Sequence, residues 1–243
     1  MSNPWAPPPR KFDLAGQSVF LAMPSHRDLP GQTVISLLQT KTLLAERGIP
    51  IHIELALGGS LVHHARSRLV WQFLKSPHNR LFWVDSDITW KAEDFVRLLA
   101  LSTVMDIVAG AYPAKTEPLQ FLGRSVGSME ANEHGCLPVG GIGIGFCCMT
   151  RQVLEDAAKA APKKRFHQVP EGPIPHTFCI PRDDIDDGLG AEGEDMAFFA
   201  RAKALGHQLW VDPGIVLGHI GPKVYSGQLL DQLQKVEAAS VAA

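Results

Sequence analysis

The chain has 243 residues, of which 45% are hydrophobic and 20% charged, with a formal net charge of −2. This is the profile of a globular protein long enough for a sizeable core, and it gives no electrostatic case for a nucleic-acid or anionic-membrane partner. No apolar run approaches the roughly 18 residues of a membrane span.

The opening MSNPWAPPPRKFD lacks the charged-then-apolar layout of a secretory signal. Its prolines predict an extended arm over residues 1–17, ahead of a single domain over 18–227 and a terminal helix and tail over 228–243. Cys136, Cys147, Cys148 and Cys179 have no zinc-site spacing. They are expected as reduced thiols in a cytoplasm.

SVFLAMP (18–24) is an apolar, β-rich run that Pro24 should stop. TVISLLQTKTLLAERG (33–48) has apolar residues at helical spacing and ends on Gly48. IHIELAL (51–57) alternates as a strand does, and LVHHARSRLVWQFLKS (61–76) is a second amphipathic helix. RLFWVD (80–85) predicts a third strand, KAEDFVRLLALS (91–102) a helix and MDIVAGAY (105–112) a fourth strand. Such alternation predicts an α/β fold, a mainly parallel sheet flanked by helices, with ligands at the carboxyl ends of its strands.

The second half is less regular. GCLPVGGIGIGFCCMT (135–150) is a glycine-rich stretch running into a short strand, and TRQVLEDAAKAA (150–161) is a helix. Residues 162–192, rich in proline, glycine and acid, predict a long functional loop. EDMAFFARAKALG (194–206) reads as a helix and HQLWVDPGIVLGHIG (207–221) as two short strands around Asp212-Pro213. QLLDQLQKVEAAS then forms a terminal helix.

Asp85 and Asp87 stand two residues apart at the end of the most strand-like run. Such a pair can hold a hard divalent cation and leave positions open for diphosphate oxygens. It can equally serve as turn or helix-capping residues, since Asp87-Ile-Thr-Trp-Lys leads into a helix. A third ligand of histidine type is available in His219, between two glycines of VLGHIG. Glu194 and Asp195 open a helix, where the helix dipole should keep a carboxylate pKa low. Such a group can act as a base on a sugar hydroxyl or hold one by hydrogen bonds. Plain N-terminal helix charge is the other account.

VDSDITW, GGIGIGFCCMTRQVLE and GEDMAFFARAKALGHQLWVDPGIVLGHIG, in this order, resemble nucleotide-sugar-dependent glycosyltransferases of the GT-A fold, nearest to the inverting, family-2-like enzymes of bacteria and their phages. The similarity covers most of residues 18 to 221. It implies Mn²⁺ or Mg²⁺ held by Asp85, Asp87 and His219 against the diphosphate of a UDP- or GDP-sugar. It also implies Asp195 as base and Glu194 beside the acceptor. The first strand departs from the family pattern, ending MPSHRDLPG rather than in an acidic, asparagine-rich turn. The acceptor is open: a glycan, a lipid-linked intermediate, a protein or modified DNA.

Arg66 and Arg68 do not share a helix face, so only one should reach the donor. An A-R-x-R element at this place in the resembling enzymes favours Arg66. Ser25, His26 and Arg27 are candidates for the base and ribose pocket, Ser86 for the donor site, and Tyr112 and Lys115 for the sugar. His63 and His64, being neighbours, are expected to be structural rather than joint metal ligands.

The glycines at 140, 141, 143 and 145 precede a strand instead of following the first one, which excludes a dinucleotide fingerprint. They are expected to give a substrate room near the backbone. DDIDDGLGAEGE matches an EF-hand loop at several positions but has Ile185 at position three and no helix before it. It is expected to close over a bound donor. Two further functions fit the same sequence: a nucleotidyltransferase making a nucleotide sugar, and an idle sugar-binding module.

Overall fold

The computed structural model describes residues 12–26, 28–59, 61–125, 130–179 and 193–241. The first half runs β1 (Val19–Ser25), α1 (Gly31–Glu46), β2 (Ile51–Leu57), α2 (Val62–Lys75), β3 (Arg80–Val84), β4 (Ile88–Thr89), α3 (Ala92–Leu101), β5 (Ile107–Gly110) and β6 (Gly123–Ser125). The second half runs β7 (Leu137–Ile142), β8 (Phe146–Thr150), α4 (Arg151–Ala160), β9 (Lys163–Lys164), β10 (Ile174–Pro175), α5 (Glu194–Ala204), β11 (Leu209–Asp212), β12 (Leu217–Ile220), β13 (Val224–Gly227) and α6 (Leu229–Val241).

Among the described residues an 8-stranded sheet has the order β2-β1-β3-β8-β5-β11-β7-β6. β2, β1, β3, β5, β11 and β6 point one way, and only β8 and β7 run against them. This is the mainly parallel α/β architecture the alternation predicts. The connections from β1 to β2 and from β2 to β3 leave in opposite directions, so the order reverses at β1. In such sheets the crevice at that reversal is the usual ligand site.

Side chains alternate across the sheet and both faces are covered. Phe20, Ala22, Leu81 and Trp83 pack on one side with Leu69, Phe73, Phe198 and Phe199 of α2 and α5. Val19, Leu21, Met23, Phe82 and Val84 pack on the other with Leu44 of α1 and Phe95, Leu98 and Leu99 of α3. Burial on both faces is why β1 and β3 read as continuous apolar runs. Each large side chain removed from water contributes about 1.5–3 kcal/mol.

Three expectations are corrected here. β1 continues through Pro24 to Ser25, because only β2 pairs with that end while β3 pairs with Val19–Ala22, so the missing proline N–H falls on an unpaired side. The glycine-rich stretch holds two strands, β7 and β8, with Gly143–Gly145 between them. Part of the supposed loop 162–192 is structured: β9 pairs with β10, and Phe166, Val169 and Ile174 pack on Trp71. The acidic run expected to close over a donor as far as residue 192, residues 1–11 of the N-terminal arm and Arg27 lie outside the described residues. The four cysteines are free thiols, and among the described residues no helix is long and apolar enough to cross a membrane.

Candidate functional site

Asp85 follows β3, and its amide donates to the Gly145 carbonyl at 2.9 Å, closing the turn at the sheet's carboxyl rim. The chain then forms β4, which pairs antiparallel with β12 so that Ile88 stands opposite His219. The Ile220 amide donates to the Asp87 carbonyl at 2.8 Å. This ladder carries His219 to Asp87 across 132 residues of sequence. Thr33 fixes the same turn from behind, its hydroxyl donating to the Ile88 carbonyl at 3.0 Å.

His219 donates from Nδ1 to the Pro113 carbonyl at 2.9 Å, and its Nε2 lies 3.4 Å from Asp87 Oδ2. With Nδ1–H committed, Nε2 faces the carboxylate either as the N–H of an imidazolium or as a ligand lone pair. A backbone carbonyl behind the ring is the usual outer partner of a metal-bound histidine. Lys115 Nζ reaches Asp87 Oδ2 at 2.6 Å. Burial works against the Asp87 charge, yet hydrogen bonds from His219 and Lys115 outweigh it and hold the carboxyl at about 2. The capping account of Asp87 fails, since α3 has no side-chain cap and starts after Lys91.

Asp85 turns the other way. Arg66 Nη2 donates to its Oδ1 at 3.0 Å and to its Oδ2 at 3.3 Å. The Arg66 Nε lies 3.5 Å from Asp195 Oδ1 and 3.8 Å from Glu194 Oε1. Arg66 is buried, with three carboxylates around one guanidinium. Arg66 is thus engaged by carboxylates beneath the rim, and its Nε and Nη1 form no hydrogen bond.

Asp195 accepts the Ile144 amide on Oδ2 at 3.1 Å, while its buried Oδ1 has no hydrogen-bond partner. Its pKa contradicts the helix-dipole expectation. Burial, with Asp85 and Glu194 adding to it, pushes the carboxyl up to about 6 against the pull of Arg66.

The glycines before β8 leave space, but this chain fills it. A Cβ at Gly145 would stand 2.6 Å from Asp85 Oδ2, and one at Gly143 would overlap the Tyr112 hydroxyl. Tyr112 is half-buried and packs edge-on against His219 at 5.0 Å between ring centroids. It backs the site. The Tyr112 hydroxyl is raised well above its ordinary range by burial and the nearby Asp85 and Asp195 charges.

Ser86 is partly buried between the two aspartates, Ser25 is buried at the end of β1, and His26 is exposed. The Ser25 carbonyl accepts the Gly58 amide at 3.0 Å, joining β1 to the end of β2. There a cavity of about 400 Å³ is lined by Gly58, Gly59, His64, Arg68, Arg165 and Phe166 among others. Arg68, the arginine set aside in favour of Arg66, is the one that reaches open space. Arg165 carries no signal in the sequence because it lies just beyond β9 in a stretch without periodicity.

Metal-ligand geometry is split. Among the described residues, the three-residue cluster with ligand atoms all within 4.8 Å of one another is His63, His64 and His176; Asp85, Asp87 and His219 do not converge to that degree. Asp87 and His219 suit a cation shared with diphosphate oxygens, and Asp85 lies next to them in sequence but is paired with Arg66.

The sequence matches no family model and no curated protein. Solved structures do match. The chain is similar to the crystal structure of A197 from STIV, at 19% identity over 84% of this chain and 86% of that one, with a TM-score of 0.51. At TM-scores of 0.48 it also overlaps the catalytic domain of Drosophila beta1,4galactosyltransferase 7 in complex with xylobiose and GalNAc-T7 with UDP, GalNAc and Mn²⁺. Those two share 13% and 10% identity, and the chain spans 66% and 44% of their lengths. At this identity the likeness is one of fold.

Proposed function

We propose that the chain is a divalent-metal-dependent glycosyltransferase that moves a sugar from a nucleoside diphosphate to an acceptor hydroxyl with inversion. One observation carries the reading: a single rim of the sheet gathers Asp85, Glu194 and Asp195 around the buried Arg66 guanidinium and, beside them, Asp87 against His219 and Lys115. That excess of carboxylate suits a bound cation, and the sequence resemblance supplies the same roles. Asp85, Asp87 and His219 would hold Mn²⁺ or Mg²⁺, which when bound neutralises charge on the departing diphosphate.

The rest is done by the chain. Asp195 takes the proton of the acceptor hydroxyl, and a carboxyl near 6 combines base strength with a deprotonated population at neutral pH. Glu194 holds the acceptor. Arg68 and Arg165 meet the nucleotide in the cavity beside β2.

The test is release of nucleoside diphosphate from UDP- and GDP-sugars, with and without Mn²⁺ and a sugar acceptor. Asp87→Asn should abolish metal-dependent release. Asp195→Asn should keep metal-dependent donor binding and lose transfer by about 10²–10⁴-fold. Full release in Asp87→Asn overturns the cation assignment, and full transfer in Asp195→Asn removes it as the base. Donor binding without turnover in the unaltered chain would mark an idle module.

A further inference from the structure

The first turn of α2 presents His63 and His64, and the segment after β10 brings His176 against them. One nitrogen from each ring lies within 4.8 Å of the others. Two neighbours on a helix are poor partners when the helix is considered alone. Here the His63 and His64 rings tilt together, 4.4 Å apart between centroids, and the third ring closes the group from 112 residues away.

Among the described residues no carboxylate pairs with any of the three, and His176 Nε2 is buried without a hydrogen-bond partner. Three imidazole nitrogens that converge this closely can be shared by one cation, which also satisfies the orphaned nitrogen.

We infer that His63, His64 and His176 form a site for a transition-metal dication of the Zn²⁺ class, separate from the carboxylate rim. The ligand chemistry is what separates the two. Imidazole nitrogens select Zn²⁺ and its neighbours over Mg²⁺, whereas carboxylates beside a diphosphate suit Mg²⁺ or Mn²⁺. Three histidines plus one open position is a familiar zinc arrangement. His64 also lines the cavity beside β2, and Phe166 packs on both His64 and His176. The bound ion therefore ties residues 163–179 to α2 and forms part of the cavity wall.

The test uses tag-free, chelator-treated full chain carrying Asp87→Asn, which disables the rim site and keeps the two ideas apart. Zn²⁺ is titrated against a chromophoric chelator, and Co²⁺ is followed by visible absorption. One equivalent should bind with a Kd of about 1 µM or tighter and give a tetrahedral, nitrogen-rich Co²⁺ spectrum. His176→Ala and His63→Gln should each weaken binding more than about 100-fold, beyond the roughly 10–100-fold loss typical of an outer-shell partner. If His176→Ala does not fold by circular dichroism, His63→Gln at the partly exposed helix start decides alone. Binding unchanged in the folded variants, or no stoichiometric uptake, overturns the inference and leaves the rim site untouched.

Discussion

Burial and the Asp85 and Glu194 carboxylates push the Asp195 carboxyl up to about 6, against the attraction of Arg66. Two pH effects follow with opposite benefit. Transfer needs the charged form, so the rate should rise with pH through about 6 and then level. A carboxyl raised above its unfolded value contributes stability below about 4 that is lost as pH climbs through 6. Asp195→Asn should abolish the rate limb and raise stability at pH 7 by about 1–3 kcal/mol, as urea titration at pH 4 and pH 7 would read. Lys115 is the second residue with a clear consequence. Its ammonium sits on Asp87 Oδ2, where it competes with an incoming cation. Lys115→Met should tighten Mn²⁺ binding in the absence of donor by about three- to tenfold, measured by calorimetry, and an unchanged affinity would remove that competition. At this scale the sequence displays the candidate residues but not whom they face. Asp85 and Asp87 look alike in VDSDITW, yet one meets Arg66 and the other His219, because that choice depends on elements far away in the chain.

Arg151 illustrates how one element completes another. α2 ends without a glycine, and its last carbonyls are gathered by the Arg151 guanidinium at the start of α4. Nη2 donates to Phe73, Ser76 and His78 carbonyls at 3.2, 2.6 and 2.6 Å, and Nε to His78 at 3.0 Å. The cation also meets the negative end of the helix dipole and stacks on Phe73. Arg151→Ala should cost about 2–4 kcal/mol in chemical denaturation, since it strands several carbonyls at once, while metal affinity at the rim stays unchanged. The long elements were legible because their periodicity spans several turns or both sheet faces. β4, with two residues, has no period to read, and β7 is broken by Pro138, Gly140 and Gly141. Those are the pieces that position Asp87 and Ile142–Gly145. The fold could thus be anticipated in outline while the scaffold of its site could not.

Across the whole molecule, two apolar layers enclose the sheet, and its carboxyl rim carries most of the candidate site residues. A ligand that joins Asp87, His219 and the cavity beside β2 bridges the small sheet, the main sheet and α2, so it should stabilise the chain as a unit. Thermal unfolding with UDP or GDP should rise by several degrees only when Mn²⁺ is present, and the nucleotide giving the larger rise marks the donor base. A rise independent of metal would speak against a shared cation. The β4–β12 ladder adds a consequence in time. β11 is the last strand to join the main sheet, at Leu209–Asp212, and β12 follows it. On the ribosome His219 is therefore the last of the candidate site residues to be made, after every strand of the main sheet.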